Sequence, residues 1–253
     1  MSVAPKKALG QHFLVDENIL RVIERLAELD ETDVVLEIGP GLGVLTRFLA
    51  DRVAHVHAVE LDRSLEPHLR DLPRTDLHWG DALRLDLAAL RPQPRKLVAN
   101  LPYNVATPLV VESLDRLPAI DRWCVMVQRE VADRFFAAPR TKPYGAVSVL
   151  VQLAAERTGF HPVSRQVFRP RPNVDSALVA FRRTADGIAP EVKRTVEGAF
   201  AHRRKTLANA LALTGVAPRE RGAAALEAIG RDPATRAEAL APPEFVALAH
   251  ALR

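Results

Sequence analysis

The sequence predicts an α/β fold: a mostly parallel sheet with helices on both faces, followed by a small all-helical domain. Three observations carry this. Strand-like runs alternate with helix-like runs from residue 17 to residue 184, the pattern of parallel strands joined by crossover helices. The first strand-like run ends directly in a glycine turn, EIGPGLG (37–43). Beyond TADGIAP (184–190) no strand-like run appears and helical patterns take over.

Each element has its own signal. In ENILRVIERLAEL (17–29), Ile19, Ile23 and Leu26 share one face with Leu20 and Leu29 beside it, which predicts an amphipathic helix. DVVLEI (33–38) is a β-branched strand, and 44–51 reads as the helix after its glycine turn. HVHAVELD (55–62), the shorter DLHWGDAL (76–83), KLVANLPY (96–103) and RWCVMVQRE (122–130) supply the next strands. GAVSVLVQLAAERTGF (145–160) reads either as a helix or as a helix running into a strand. SALVAFRRT (176–184) is a late strand, and EVKRTVEGAFAHRRKTLANALAL and PPEFVALAHALR are helical. The predicted domains are therefore 1–184, α/β, and 189–253, helical.

Composition narrows the function classes. The chain has 253 residues, 48% hydrophobic and 26% charged, an ordinary globular balance. No apolar run approaches the roughly 18–20 residues of a membrane helix, and Met1–Leu9 lacks the apolar core of a signal peptide. A cytoplasmic protein is expected. The single cysteine, Cys124, excludes an internal disulfide and a cysteine-based metal site. Residues 157–205 hold eleven Lys/Arg against four Asp/Glu, +7 in a chain of net +4. A basic stretch in an otherwise balanced chain predicts a polyanionic partner, the alternative being a solvated arginine-rich surface.

The ends of the strands hold the chemistry. Gly39-Pro40-Gly41-Leu42-Gly43 lets the backbone approach a ligand, yet it departs from the G-x-G-x-x-G turn that cradles a diphosphate. Glu37 beside it would repel phosphate and suit a cation. Glu60 ends the second strand, where an acid accepts hydrogen bonds from ribose hydroxyls. Asp81, in Gly80-Asp81-Ala82, can accept from an adenine amine, or simply cap a turn. Together these describe a pocket for a positively charged adenosine compound without phosphates, such as S-adenosylmethionine. The fourth strand ends on Asn100-Leu101-Pro102-Tyr103. Pro102 has no N–H for a sheet ladder, so the strand stops there. Asn100 and Tyr103 are left at a strand tip, as a plain turn or as part of a site.

In that order, LEIGPGLG (36–43), Glu60-Leu61-Asp62, Gly80-Asp81-Ala82 and Asn100-Leu101-Pro102-Tyr103 resemble the motifs of class I methyltransferases acting on adenine N6. More narrowly, the chain is similar to the family of small-subunit rRNA adenine N6,N6-dimethyltransferases. LGQHFLVD (9–16), VQREVADRF (127–135), FRPRPNVDSALV (168–179), AFAHRRKTLANAL (199–211) and RAEALAPPEFVALA (236–249) extend that resemblance over nearly the whole chain. It implies a Rossmann-like seven-stranded sheet and a helical domain for RNA contact. It places His12, Leu14, Gly39, Glu60, Asp81 and Asn100 around S-adenosylmethionine, with no metal. His12 stands where Asn is common, and Asn173 where Lys is frequent. The implied substrate is two adjacent adenines in a hairpin loop near the 3′ end of small-subunit rRNA, in a pre-30S particle met by a monomer.

Adenine N6 is a poor nucleophile because its lone pair is delocalised into the ring. The donor methyl is already electrophilic, so the enzyme must align the nitrogen with it and accept hydrogens from the amino group. The Asn100 side-chain oxygen and the Leu101 carbonyl are the expected acceptors, with Pro102 setting the backbone direction. Tyr103 offers a stacking face for an extruded base, and Phe168 is a candidate second face, or else a core aromatic. Arg169, Arg171, Arg203, Arg204 and Lys205 are the expected phosphate contacts. Competing readings are an erythromycin-resistance type enzyme acting on large-subunit rRNA, a non-catalytic ribosome-assembly or transcription factor of the same fold, and, more weakly, a DNA adenine methyltransferase.

Overall fold

A computed structural model describes residues 11–253. The segment 1–9, expected to carry no signal peptide, and the first two residues of the stretch 9–16 lie outside the described residues. A two-residue strand β1 (Phe13–Leu14) precedes helix α1 (Glu17–Ala27), whose N-cap Asp16 accepts from the Asn18 N–H at 2.8 Å. Ile19, Leu20, Ile23 and Ala27 form its buried stripe. Then follow β2 (Val34–Ile38), α2 (Val44–Ala50), β3 (His55–Glu60), the single turn α3 (Glu66–Leu69), β4 (Thr75–Trp79), β5 (Lys96–Asn100), α4 (Ala106–Arg116) and β6 (Arg122–Gln128). Next come α5 (Arg129–Phe135), α6 (Ala146–Ala154), β7 (Ala155–Val163), β8 (Phe168–Arg169) and β9 (Ser176–Arg183). Helices α7 (Pro190–Ala201), α8 (Leu207–Leu213), α9 (Arg219–Ala228) and α10 (Pro242–Ala251) complete the chain.

Seven strands form one sheet in the order β4-β3-β2-β5-β6-β9-β7. The pairs from β4 to β6 are parallel, and β9 joins β6 antiparallel, with Cys124 opposite Ala180. The expected α/β, class I methyltransferase sheet is present. Its central strands are apolar on both faces, as buried parallel strands must be: Val35, Leu36, Leu97, Val98 and Val125 are all fully buried. One core cluster packs Ile19 and Ile23 of α1 and Leu45 and Leu49 of α2 against Val35, Val56, Val98, Met126 and Leu178 of the sheet. Lys96, a charged residue that begins the central strand β5, donates to Asp33 at 2.6 Å and also to the Glu28 carbonyl. That pairing offsets the cost of burying its ammonium.

The chain runs outward from β2 through β3 to β4, then returns to start again at β5 and runs the other way to β6. Strand order thus reverses between β2 and β5. In open α/β sheets the crevice beyond the carboxyl ends of two such strands is where ligands bind. Gly39 follows β2 and Asn100 ends β5.

The chain divides into two compact units, with a boundary between Arg183 and Thr184. The first unit holds the chain up to Ala132 together with Glu156–Arg183. The second holds Thr184–Arg253 and also Asp133–Ala155, a segment that the sequence pattern groups with the sheet. The ambiguous stretch 145–160 is a helix running into a strand, and the division falls where α6 meets β7. Within the second unit Tyr144, Phe200 and Phe245 form an aromatic core, and the Tyr144 hydroxyl donates to the Leu240 carbonyl at 2.7 Å. The helical pattern over 191–213 is broken at 202–206, so Arg203, Arg204 and Lys205 occupy the turn between α7 and α8. No helix among the described residues is long and apolar enough to cross a membrane.

Candidate active site

A pocket opens at the β2/β5 crevice. It is lined by the four strand-tip motifs, Glu37–Leu42, Val59–Leu61, Gly80–Leu83 and Asn100–Val105, and by Gln11–Leu14. Of the expected donor-binding residues, all six line it: His12, Leu14, Gly39, Glu60, Asp81 and Asn100. Leu101, Pro102 and Tyr103 line it as well.

The glycine turn and the Asn-Leu-Pro-Tyr turn are in contact. Gly39 has φ +77°, and a Cβ built on it would lie 3.3 Å from Cδ of Pro102. Both the dihedral and the close approach favour glycine. Gly39 N–H donates to the Val59 carbonyl at 2.9 Å, which ties the turn to the end of β3. Gly41, with φ +60°, donates to Oε2 of Glu60 at 3.2 Å, while Oε1 accepts from the Asp62 N–H at 2.8 Å. Glu60 is therefore held by backbone donors at the strand tip. Burial nonetheless raises its pKa, opposed by those backbone N–H groups.

Glu37 is the second acid of the pocket and is almost completely buried. Burial pushes its pKa up to about 8; the Thr46 hydroxyl opposes the rise, and the nearby Glu60 adds to it. Oε2 of Glu37 and the Thr46 hydroxyl both lack a properly aligned hydrogen bond among the described residues. A buried carboxyl oxygen without a donor, in a pocket that already holds Glu60, favours a cationic ligand and disfavours a phosphate. Asp81 spends one oxygen on its own turn, accepting from the Leu83 N–H at 3.0 Å, and Oδ2 is 3.5 Å from Nε of Arg84. It both caps the turn and lines the pocket.

Asn100 has a defined orientation. Its Nδ2 donates to the His12 carbonyl at 3.1 Å. A carbonyl only accepts, so the amide nitrogen must face it and Oδ1 is left as an acceptor. The neighbouring backbone is similarly polarised. The Pro102 carbonyl accepts from Val105 N–H at 3.1 Å, whereas the Leu101 carbonyl accepts no backbone hydrogen bond among the described residues. Leu101 N–H in turn donates to the Met126 carbonyl at 3.0 Å, fixing the turn on β6. Tyr103 shares a hydrogen bond with the Ser176 hydroxyl of β9, and its ring centroid lies 5.3 Å from that of His12 at a 31° tilt. Burial raises the Tyr103 pKa, so it is a neutral phenol.

A strap formed by residues 11–14 crosses the pocket. Gln11 donates to Asp62 at 3.0 Å, and the ring nitrogen Nδ1 of His12 is bonded to the Pro170 carbonyl at 2.8 Å. Strand β1 pairs with β8, Leu14 opposite Phe168 and Phe13 opposite Arg169. This ladder corrects the expectation for Phe168. The ring is wholly buried in the core cluster with Leu14, and it does not line the pocket. As folded it has no free face for a base; instead it anchors the strand that begins directly after His12 and carries Leu14 into the site. Arg169 and Arg171 are exposed, although Arg169 also donates to the carbonyls of Gln166 and Phe168. Arg203, Arg204 and Lys205 are exposed too, with Arg203 donating to the Tyr144 carbonyl at 2.9 Å.

The structure adds Gln11, held by Asp62, to the site and gives Glu37 a larger part than the sequence pattern alone suggests. Glu37 carries a sequence signal, an acid two residues before the first glycine. The pairing of Gln11 with Asp62 carries none, because it spans 51 residues of chain.

Comparison with known proteins decides the family. The sequence profile of the ribosomal RNA adenine dimethylase family matches residues 4–249. The chain belongs to the ribosomal RNA adenine dimethylase family. A relative named ribosomal RNA small subunit methyltransferase A, from Rubrobacter xylanophilus, is 49% identical over 96% of this chain and 94% of its own. The protein of the same name from Geobacter metallireducens is 41% identical over 99% of this chain and 96% of its own. The crystal structure of the 23S rRNA methyltransferase ErmE covers 95% of this chain and 99% of its own at 30% identity, with a TM-score of 0.66. A dimethyladenosine transferase from Plasmodium falciparum shares the fold, with a TM-score of 0.77 at 23% identity over 94% of this chain and 96% of its own. As a member of this dimethylase family, the chain is an rRNA adenine dimethyltransferase, and its family implies S-adenosylmethionine as methyl donor.

Proposed function

We propose that this dimethylase transfers two methyl groups to N6 of each of two adjacent adenines in the 3′-terminal hairpin loop of small-subunit rRNA. The single observation that carries the chemistry is the fixed amide of Asn100. His12 holds its nitrogen, so Oδ1 is the group left to accept a hydrogen from the target amine. The Leu101 carbonyl is the second acceptor. Two acceptors on the amino hydrogens rotate the N6 lone pair out of conjugation and toward the methyl group. Pro102 keeps the Leu101 carbonyl in place through its contact with Gly39, and Tyr103, braced by Ser176, stacks on the extruded base.

The pocket fits the donor. Glu60 takes the ribose hydroxyls, Asp81 the adenine amine, and Gly39, His12 and Leu14 the body of the molecule, while Glu37, protonated in the ligand-free pocket, releases its proton to become the counter-charge as the cation binds. S-adenosylmethionine supplies an electrophilic methyl carbon on a sulfonium. The proton of N6 passes to water once the amine has been alkylated, so Asn100 orients the amine and need not ionise. The reaction requires no metal at this site. Arg169, Arg171, Arg203, Arg204 and Lys205 contact rRNA phosphates, and the monomer acts in the cytoplasm on a pre-30S particle.

Identity to the small-subunit relatives, 49% and 41%, exceeds the 30% shared with ErmE and supports the small subunit as substrate. Asn100→Ala tests the chemistry. Methyl transfer to unmodified small subunits is expected to fall by about 10³-fold, while rRNA binding changes less than about threefold. Wild-type transfer by this variant would remove Asn100 from the reaction.

A further inference from the structure

A second group of ligating side chains lies at the other end of β3, outside the pocket. His55 and His57 are two residues apart on β3, so they project from the same face of the strand. Asp76 and His78 have the same spacing on β4, and the parallel register sets Asp76 directly opposite His57. Four residues able to bind a metal thus form one patch across two adjacent strands. About 16 Å of strand separates His55 from Glu60 at the pocket end.

The tautomer of His57 is fixed. Its Nε2 lies 2.7 Å from the Pro92 carbonyl, which only accepts, so Nε2 carries the proton and Nδ1 presents a lone pair. That lone pair is 3.9 Å from Oδ2 of Asp76 and accepts a hydrogen bond from Nε2 of His78 at 3.1 Å, a bond that an ion on Nδ1 would displace. Nε2 of His55 is 3.1 Å from the same Asp76 oxygen, yet it is a buried nitrogen with no aligned hydrogen bond among the described residues. The ligand atoms of His55, His57 and Asp76 all lie within 4.8 Å of one another. Ligands about 2.0–2.1 Å from a tetrahedral zinc are about 3.3 Å apart, which falls between the two measured contacts of Asp76. The carboxylate of Asp76 is 54% exposed and can rotate to even them out.

The arrangement of His57 is that of a metal-bound imidazole whose other N–H donates to a backbone carbonyl and so orients the ring. We propose that His55 Nε2, His57 Nδ1 and Asp76 bind a divalent transition-metal ion of the zinc class, with His78 beside the remaining position. Two imidazoles and a carboxylate suit such an ion better than they suit calcium or magnesium, which prefer all-oxygen ligands. The ion would clamp β3 to β4 at the start of the strands, making this a structural site distinct from the methyl-transfer pocket.

Chelator-treated full-length protein, titrated with Co2+ and then with Zn2+, tests this. The wild type is expected to bind one equivalent of Co2+ with the visible d–d bands of a tetrahedral site. Zn2+ should displace it and raise Tm by about 5–10 °C at a hundredfold excess over Kd. His55→Gln and Asp76→Asn, both at partly exposed positions, should lose the bands and the Zn2+-dependent rise while keeping the metal-free Tm and methyl transfer. Absence of both signals in the wild type overturns the proposal. So does either variant that keeps them, since the metal would then be bound elsewhere.

Discussion

The two ends of β3 hold polar groups by opposite means. At the carboxyl end, Glu60 is gripped by the backbone N–H groups of Gly41 and Asp62, and the turns around it meet at the β2/β5 crevice. At the amino end, His55 and His57 meet Asp76 across the strand pair, and the His57 ring is held from both sides, its Nε2–H by the Pro92 carbonyl and its Nδ1 by His78. The first arrangement has oriented its donors and acceptors toward an organic ligand. The second has surplus acceptors and too few donors, which is the chemistry of a cation. Neighbouring residues of one strand can thus serve different sites, because alternation and distance along the strand separate them.

After the loss expected at Asn100, the largest effect on the carboxyl-end site is expected at Gly39. Gly39→Ala puts a Cβ 3.3 Å from the Pro102 ring at φ +77°. Methyl transfer should drop by about 10–100-fold and stability by about 1–2 kcal/mol. Gly215, with φ +69° and open space around it, provides the comparison. Gly215→Ala should show a similar backbone cost in thermal unfolding and unchanged transfer. Equal activity losses in the two variants would separate the Gly39–Pro102 contact from catalysis.

A smaller effect concerns Glu37. Its folded pKa, about 8, lies above its unfolded value of 4.5, so between these pH values the folded state holds a proton that the unfolded state has released. Stability of the ligand-free wild type should therefore fall as pH rises from 5 to 8, by at most about 1.4 kcal/mol per pH unit from this group. Glu37→Gln should flatten that slope, visible as a Tm difference that widens with pH. Parallel Tm profiles for the two proteins would mean that Glu37 is ionised in the fold.

The smallest effects belong to the basic surface. Arg169→Ala and Arg171→Ala should each weaken rRNA binding a few-fold and reduce the salt dependence of log Kd by about 0.7–0.9 for each phosphate no longer neutralised. Arg203→Ala should change that slope less, because Glu238, 3.6 Å from its guanidinium, already offsets part of its charge, whereas among the described residues Arg169 is held only by carbonyls. Equal slopes for all three variants would show that this prior engagement does not limit its binding to RNA.

Much of the donor end is legible from sequence because its parts sit at strand tips. Gly39, Glu60, Asp81 and Asn100 each close a strand-like run, and a parallel sheet brings successive carboxyl ends to one edge. The far end is not legible in this way. His-x-His and Asp-x-His are visible as strings, but only the register of β3 on β4 makes them neighbours. The same reason hides the role of Phe168, whose burial depends on a ladder to β1 more than 150 residues earlier. A short aromatic-plus-arginine stretch looks alike whether its ring is packed or exposed. The break at 202–206 is hidden for a different reason, since His202-Arg203-Arg204-Lys205 contains no proline or glycine to interrupt the helical pattern.

The proposed substrate of this pocket is adenine N6 in small-subunit rRNA. The most direct measurement incubates the protein and S-adenosylmethionine with purified, unmodified small and large subunits, then maps modified nucleotides by mass spectrometry. Two adjacent N6,N6-dimethyladenosines are expected in the 3′-terminal hairpin of the small-subunit rRNA and none in the large subunit. Dimethyladenosine confined to the large-subunit rRNA would contradict it.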